Sequence, residues 1–444
     1  NLLSKYPTLY NTKFDRLNEQ IADLWNFATS GRESFDLRHA EAVSKIRKDF
    51  PLPSLDGSLA IFASLQTVGI ANPVDYRILP TTAAQLIWTP KLDAANTAFI
   101  TANSAPRYIA GHLPFTNRQS GLAILNRYRP YGFVSGLYLL RHGGERSVTR
   151  TPLGKSTIGW GERLDLPPSE GGLLIAKISY KRTLWGAILN LLYQPAPAYL
   201  VTQGPSGETM RELIGRRIAE QGLLVSPFIG SVTEFAAMTS AVGRDYMSDR
   251  GSASLHLEAG DADRWLFPLG DWAKYFLPDI TVEFERLDYQ EVDEPTWHSQ
   301  SAEMGALHRL LTIRPRTASG QRPELILTPS NKAAIELRKG RSIAFALNAG
   351  AKKFEIELVL QKKPAPLSAL RIAVLRDDGP PVPQPWEISK RADIGSYGES
   401  IRLLIDNIAC RETQRCEAVI SLLGTENSEI RPVQVTDVTV HESK

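Results

Sequence analysis

The sequence predicts a mainly β protein, in which a small N-terminal α/β unit precedes two domains of the β-sandwich or jelly-roll type. Helix-like and strand-like patterns alternate over residues 1–145, which is typical of an α/β unit. Residues 281–287 alternate polar and apolar side chains, as a strand with one wet face does. Short strand patterns recur between turn signals over residues 293–444. We therefore place domains at residues 1–145, 146–292 and 293–444, with a helical insertion in the second.

The N-terminal unit begins with an amphipathic pattern that predicts a helix over Phe14–Thr29, where Thr12 and Asp15 fit a capping box. The turn at Asp56-Gly57 precedes the first strand pattern. The elements predicted after the first helix are helices over His39–Lys48 and Ala94–Thr101, and strands over Leu59–Ala63, Tyr108–Ala110 and Phe133–Leu140. Gly143-Gly144 and the polar residues after them suggest the end of this unit.

The second domain is dominated by strand patterns, with one predicted helix over Thr233–Val242. Its predicted strands are Leu173–Ile178, Ala198–Thr202, Leu255–Glu258 and Ile280–Leu287. Residues 208–219 keep helical spacing yet follow a turn that suits a hairpin, so both interpretations stay open.

The third domain consists of short strand patterns at a spacing typical of a sandwich. They are Glu324–Leu327, Ala333–Leu337, Ser342–Leu347, Phe354–Leu360, Arg371–Leu375, Ile401–Ile405, Ala418–Leu423 and Val433–Val440.

The composition is that of a globular protein without a nucleic-acid partner. Of 444 residues, 43% are hydrophobic and 22% charged. The net charge is +3, and the basic residues are scattered along the chain instead of forming the concentrated basic patch that is typical of nucleic-acid binding. The longest apolar run, Thr183–Tyr193, is shorter than the roughly 20 residues that a membrane span needs.

Two cysteines, Cys410 and Cys416, lie between strand-like segments in the last domain. If those segments pair as a hairpin, the two Cα atoms approach within the range that a disulfide needs. A disulfide indicates an oxidising compartment such as the periplasm, and the alternative is two free thiols in the cytosol.

Catalytic signatures are absent from the sequence. It contains no phosphate-binding glycine loop, no dinucleotide fingerprint, no nucleophile elbow and no zinc-binding histidine pair. We therefore predict no catalytic residue, no cofactor and no metal ligand.

Aromatic residues beside carboxylates are the most ligand-like pattern, because aromatic faces stack on sugar rings and carboxylates accept hydroxyl hydrogen bonds. The alternative is that these aromatic residues are core residues of irregular connections. The candidates are Trp265, Trp272, Asp263 and Asp271 in the second domain, and Trp386, Asp393 and Tyr397 in the third.

Three stretches together resemble the soluble C-terminal region of bacterial polytopic membrane proteins that look like GT-C glycosyltransferases. The first stretch is Thr89–Gly111, and the second consists of Leu173–Leu200 followed by Gly222–Met238. The third, Ile326–Gly350, resembles the opening of a carbohydrate-binding jelly roll. The resemblance implies a location on the periplasmic or extracellular side of a bacterial membrane, a membrane-embedded parent and a role near envelope glycans. No catalytic residue is carried over, because the catalytic acids of that family lie between membrane spans.

These observations favour a non-catalytic region that binds a cell-envelope glycan or docks on a partner, such as the membrane-embedded part of the same protein. Two alternatives stay open, namely a hydrolase or lyase that acts on polysaccharide and a structural subunit of an envelope assembly. An exposed apolar patch around Trp185–Tyr193 would favour docking.

Overall fold

The structure, a computed structural model, confirms a mainly β protein, since 46% of the described residues are in strands and 28% in helices. It describes residues 21–22, 25, 29, 36–62, 65–81, 89–111, 119–192, 196–204, 207–260, 270–290, 301–317, 321–328, 332–337, 341–347, 353–360, 369–376, 382–384, 386–393, 399–406, 416–422 and 433–441.

A mixed four-stranded sheet forms the N-terminal part, with strand order β1-β2-β4-β3. Only the β1–β2 pair is parallel. The elements are helices α1 (36–49), α2 (Gln66–Ala71), α3 (Pro90–Thr101) and α4 (Gln119–Arg127), and strands β1 (Leu59–Phe62), β2 (Tyr108–Gly111), β3 (Tyr128–Val134) and β4 (Leu137–His142). Helix α3 starts before the predicted residue because Thr89 caps it and Pro90 suits its first turn.

Two predictions for this part need comment. The strand predicted over Phe133–Leu140 is wrong as a single strand, because Ser135 and Gly136 adopt φ angles of 50° and 78° and turn the chain back. The apolar residues on both sides of this short turn conceal it in the sequence. Of the helix predicted over Phe14–Thr29, the described residues, which include Trp25, are helical, and the rest lies outside the described residues.

Residues 147–290 form two antiparallel sheets that share one hydrophobic core. The first sheet has the order β10-β7-β12-β5 and the second β6-β11-β8-β9. The strands are β5 (Ser147–Ile158), β6 (Leu164–Asp165), β7 (Leu173–Arg182), β8 (Ala198–Gln203), β9 (Thr209–Ile214), β10 (Leu223–Ser226), β11 (Ser254–Ala259) and β12 (Phe276–Gln290).

In the described part of residues 147–290, four α-helices lie between these strands, namely α5 (Leu184–Leu192), α6 (Arg216–Ala219), α7 (Val232–Met238) and α8 (Ala241–Ser248), together with a 3-10 helix over Trp272–Lys274. The single helix predicted over Thr233–Val242 is wrong. The Ser240 side chain accepts a hydrogen bond from the Gly243 N–H at 3.1 Å and so caps a new helix after α7. The ambiguous residues 208–219 contain both structures, since β9 ends just before α6.

The C-terminal part starts with α9 (Ala302–Thr312) and continues as two antiparallel sheets, of order β13-β16-β22-β18-β19 and β14-β15-β23-β17-β21-β20. The strands are β13 (Arg316–Thr317), β14 (Leu325–Leu327), β15 (Ala333–Leu337), β16 (Ser342–Leu347), β17 (Lys353–Leu360), β18 (Leu370–Arg376), β19 (Val382–Pro383), β20 (Glu387–Asp393), β21 (Glu399–Asp406), β22 (Cys416–Leu422) and β23 (Val433–His441). Their core is continuous with that of the N-terminal sheet through α7, α8 and α9.

A buried ion pair lies where these parts meet. Glu234 of α7 has no exposed side-chain surface, and Arg250, which follows α8, has 2% exposed; Arg250 Nε lies 3.2 Å from Glu234 Oε1. The Glu234 carboxylate also accepts the backbone N–H groups of Gly230 at 2.8 Å and Leu325 at 3.2 Å. Arg250 Nη1 donates to the Arg322 carbonyl at 3.0 Å. The pair therefore ties the helices to the start of the C-terminal sheets.

Burial raises the pKa of the Glu234 carboxyl from 4.5 to about 7, although Arg250 and the two backbone donors favour the ionised form. A carboxyl with a raised folded-state pKa favours folding at low pH, and this contribution is lost as the pH rises through the folded value. We expect the free energy of unfolding to lose about 2 kcal/mol from this group between about pH 5.5 and pH 8. Glu234→Gln, which has no titrating carboxyl, should lose that part of the dependence in chemical denaturation at both pH values.

The exposed Glu220, which follows α6, provides a matched control, and Glu220→Gln should keep the wild-type dependence on pH. An identical pH dependence in wild type and Glu234→Gln would contradict the prediction.

Candidate functional site

Helix α5 is an apolar helix that lies mostly exposed on the surface of the protein. It follows β7 directly, and its sequence, LWGAILNLL, contains no charged residue. Within α5 only Gly186 is fully buried, while Leu189 is half-buried against the core shared by the two sheets of residues 147–290. The rest of this apolar helix lies on the outside of the molecule.

The start of α5 is fixed to the segment around Lys274 and Tyr275. Thr183 Oγ1 accepts the Gly186 N–H at 3.0 Å, as an N-cap does, and donates to the Lys274 carbonyl at 2.6 Å. The Thr183 N–H donates to the Tyr275 carbonyl at 3.0 Å. Glycine is required at 186, because a Cβ there would lie 2.2 Å from the Tyr275 carbonyl oxygen. This close approach holds one face of α5 against the protein.

The outward face of α5 is a continuous apolar stripe. Leu184, Ile188 and Leu191 are spaced so that they share one side of the helix, and Trp185 and Leu192 extend that side. Their exposed fractions are 80% for Leu184, 53% for Trp185, 36% for Ile188, 84% for Leu191 and 76% for Leu192. We call these five residues the α5 stripe. An exposed apolar surface of this kind marks a place of interaction with a membrane or another protein.

Basic side chains flank the α5 stripe. Lys181 is exposed and Arg182 half-buried at the end of β7, immediately before the helix. Lys274, whose side chain is 62% exposed, belongs to the segment on which α5 is seated and pairs with Asp271 at 2.5 Å. The stripe is therefore apolar along its length, with Lys181 and Arg182 as the basic residues that precede it.

The structure places two of the candidate ligand residues beside this helix. Asp271 and Trp272 lie next to the segment that anchors α5, and Trp272 is half-buried against the same core as Leu189. Asp271 pairs with Lys274 at 2.5 Å. Trp265 and Asp263 lie outside the described residues, so their roles stay predictions.

The candidates of the third domain belong to another part of the protein. Trp386 precedes β20 and packs on the core that is continuous with the N-terminal sheet, and Asp393 is the last residue of β20. Tyr397 and Cys410 lie outside the described residues. Cys416 is buried at the start of β22, and its pairing with Cys410 stays a prediction.

A cleft of 580 Å³ in the described surface contains charged groups that pair with neighbouring side chains. It lies between β7, β12, α8 and α9. Arg314 pairs with Asp245 at 2.5 Å, and Arg286 with Asp288 at 2.9 Å. The carboxyl whose pKa is raised, Glu234, has no exposed surface and therefore cannot touch a substrate there. In the described part of the chain, no group of His, Cys, Asp and Glu is arranged to hold a metal ion.

The comparisons with known proteins do not add a relative to this description. No protein-family model matches the chain, and no curated protein matches it. Among the described helices, none is long and apolar enough to cross a membrane.

The sequence contained part of the signal for α5. The run Thr183–Tyr193 stands out as apolar, but a short apolar run between two strands is as typical of a buried helix as of an exposed one. Which face of α5 is covered depends on Gly186 and Tyr275, which are distant in sequence. The run lacks the polar face that is typical of a surface helix.

Gly186→Ala tests the seating of α5. The added methyl group must displace the helix from the Tyr275 carbonyl, so we expect a loss of about 1–3 kcal/mol in the free energy of unfolding, as for other overpacked contacts. Denaturant unfolding measures this loss. Asn190→Ala on the exposed side is the control and should differ little from wild type. Equal stability of the two variants would show that α5 is not held at Gly186.

Proposed function

We propose that this chain is a docking region of a cell-envelope protein that seats on the surface of a membrane through α5. The observation that carries the proposal is the α5 stripe, five apolar side chains turned outward on a helix whose other face is fixed to the protein. Of the two roles that the sequence left open, docking has a described surface. Glycan binding stays a prediction.

A lipid surface suits the dimensions of this helix. Nine residues of α-helix are about 14 Å long, which is too short to span a bilayer but sufficient to lie along its surface. Interfacial helices bury their apolar face at the boundary between headgroups and acyl chains. Tryptophan favours this boundary because its ring is apolar and its N–H finds polar partners, and Trp185 lies at one side of the stripe.

The charges beside the stripe favour an anionic surface. Lys181 and Arg182 immediately precede the helix, and α5 itself carries no charge. The charge of Lys274 is offset by Asp271. Each basic residue near an anionic membrane contributes about 1 kcal/mol to binding, and salt screens this contribution. A purely hydrophobic protein partner would not require these basic residues.

The expected strength is that of a reversible contact. Burial of a leucine side chain contributes roughly 1.5–3 kcal/mol, and part of that is already realised where the side chains of the stripe touch the protein. One short apolar element gives only marginal attachment, as a single acyl chain does, so stable anchoring requires a second element. A membrane-embedded parent of the kind that the resemblance implies supplies that element.

The wider assignment is part of the same proposal. We infer an extracytoplasmic region of a GT-C-like membrane protein, with two β-sandwich domains of which the last is similar to a carbohydrate-binding jelly roll. Two observations support it. Each of the residue ranges 147–290 and 316–441 contains two antiparallel sheets with shared core residues, and α5 lies within the segment Leu173–Leu200 that carries the resemblance.

Vesicle binding tests the docking surface. We expect the purified chain to co-sediment with phosphatidylcholine vesicles that contain about 30% phosphatidylglycerol, and less with phosphatidylcholine alone. Leu184→Ser combined with Leu191→Ser should weaken binding about tenfold or more, because it removes the two most exposed side chains of the stripe. Lys181→Gln should reduce the preference for the anionic vesicles.

Ile70 and Ile78, each 62% exposed in the N-terminal part, provide the matched control. Ile70→Ser combined with Ile78→Ser should bind vesicles as wild type does. Equal binding by all variants, or no binding by wild type, would overturn the proposal. In the second case, sedimentation analysis that shows self-association abolished by the α5 substitutions would assign the stripe to a second copy of the chain.

A further inference from the structure

A second cleft, of 570 Å³, opens at one end of the N-terminal sheet, and basic residues line it. It lies between the loop after α3, the residue before β2, the last residue of α4 and the end of β4. The described residues that line it are Ala102, Asn103, Ala105, Arg107, Arg127, Arg141 and His142. Three of these seven are arginines, and none is a carboxylate.

Hydrogen bonds and ion pairs hold two of the arginines in place. Arg127 Nη1 donates to the Thr101 carbonyl at 3.0 Å, its Nη2 pairs with the Glu145 carboxylate, and 19% of its side chain is exposed. Arg107 Nη2 lies 2.8 Å from Asp56 Oδ2, and its Nη1 donates to the Asp56 carbonyl at 3.1 Å. These contacts fix the guanidinium groups and so lower the conformational entropy that a ligand would cost.

Arg141 has a different environment. It is half-buried at the end of β4, and within the described residues its guanidinium makes no hydrogen bond or ion pair. Asp56, which interacts electrostatically with Arg141, forms an ion pair with Arg107 and accepts a hydrogen bond from the Tyr108 hydroxyl. The guanidinium therefore keeps its hydrogen-bond donors for another partner.

The electrostatic potential in this cleft is positive. Three guanidinium groups face two carboxylates, those of Asp56 and Glu145, so one positive charge is left over. Burial lowers the pKa of His142, and the positive charges of Arg127 and Arg129 lower it further. The 580 Å³ cleft described above differs, since carboxyl groups of Glu170, Asp245 and Asp288 line it and Arg314 pairs with Asp245.

We propose that the cleft formed by Arg107, Arg127, Arg141 and His142 binds a ligand that carries a phosphate group. Guanidinium forks match phosphate and carboxylate oxygens, but a phosphate offers three acceptor oxygens that can meet donors from separate segments of the chain. The volume exceeds that of one phosphate, so a small organic portion of the ligand fits beside it. This site is distinct from the α5 stripe and does not depend on membrane docking.

Calorimetric titration with inorganic pyrophosphate at constant ionic strength tests the site. We expect saturable binding by wild type that exceeds any effect of equivalent chloride, and a weakening of about tenfold or more in Arg141→Gln. Arg163→Gln, an exposed arginine of another sheet region, is the matched control and should bind as wild type does. His142→Gln provides a second exposed position in the cleft and should also weaken binding. Circular dichroism confirms that each variant is folded.

Vesicles that contain phosphatidic acid separate the two sources of phosphate. Binding of pyrophosphate assigns a soluble phosphorylated ligand. Binding to these vesicles alone, lost in Arg141→Gln but kept after the substitutions at Leu184 and Leu191, assigns a lipid headgroup. If folded Arg141→Gln and His142→Gln bind both probes as wild type does, or if wild type binds neither, the proposal is wrong.

Discussion

The ion pair between Glu234 and Arg250 is the constraint on which the assembly of this protein depends. Both groups are withdrawn from water, and a buried charge without its partner costs several kcal/mol. Glu234 also accepts the Leu325 N–H, and Arg250 donates to the Arg322 carbonyl, so each group gains one further hydrogen bond when the C-terminal sheets are in place. The helices α7 and α8 and the start of the last two sheets therefore form a single cooperative unit, and the hydrophobic core runs through them without interruption.

Helices α5 and α9 show how much a partner element decides. Both are short and rich in leucine. The apolar side of α9, including Leu307 and Leu310, is fully buried between the sheets and α8. The apolar side of α5 faces outward because Gly186 and the backbone of Tyr275 occupy its inner side. The fold buries the apolar side of α9 and leaves that of α5 exposed, which is the observation on which the proposed docking through α5 rests.

The chain as a whole is nearly neutral, although basic residues are concentrated in one part of it. A net charge of +3 over 444 residues suggests no anionic ligand, and several described basic residues, such as Arg211 and Arg309, pair with carboxylates. At the end of the N-terminal sheet, however, strand pairing brings Arg107 and Arg141 to one edge, and α4 adds Arg127. The carboxylates of Asp56 and Glu145, which do not line the cleft, hold Arg107 and Arg127. The α5 stripe and this cleft are thus separate surfaces that use different physical interactions.

The sequence alone determined the mainly β composition, the mixed N-terminal unit and most strands, because alternation and turn residues are local signals. It also singled out the apolar run that becomes α5. Local signals failed where a two-residue turn at Ser135 and a serine cap at Ser240 interrupt apolar runs. Only the tertiary structure decided which side of α5 is exposed, that Glu234 meets Arg250 and that three arginines converge, because each of these depends on contacts between segments that are far apart in the chain.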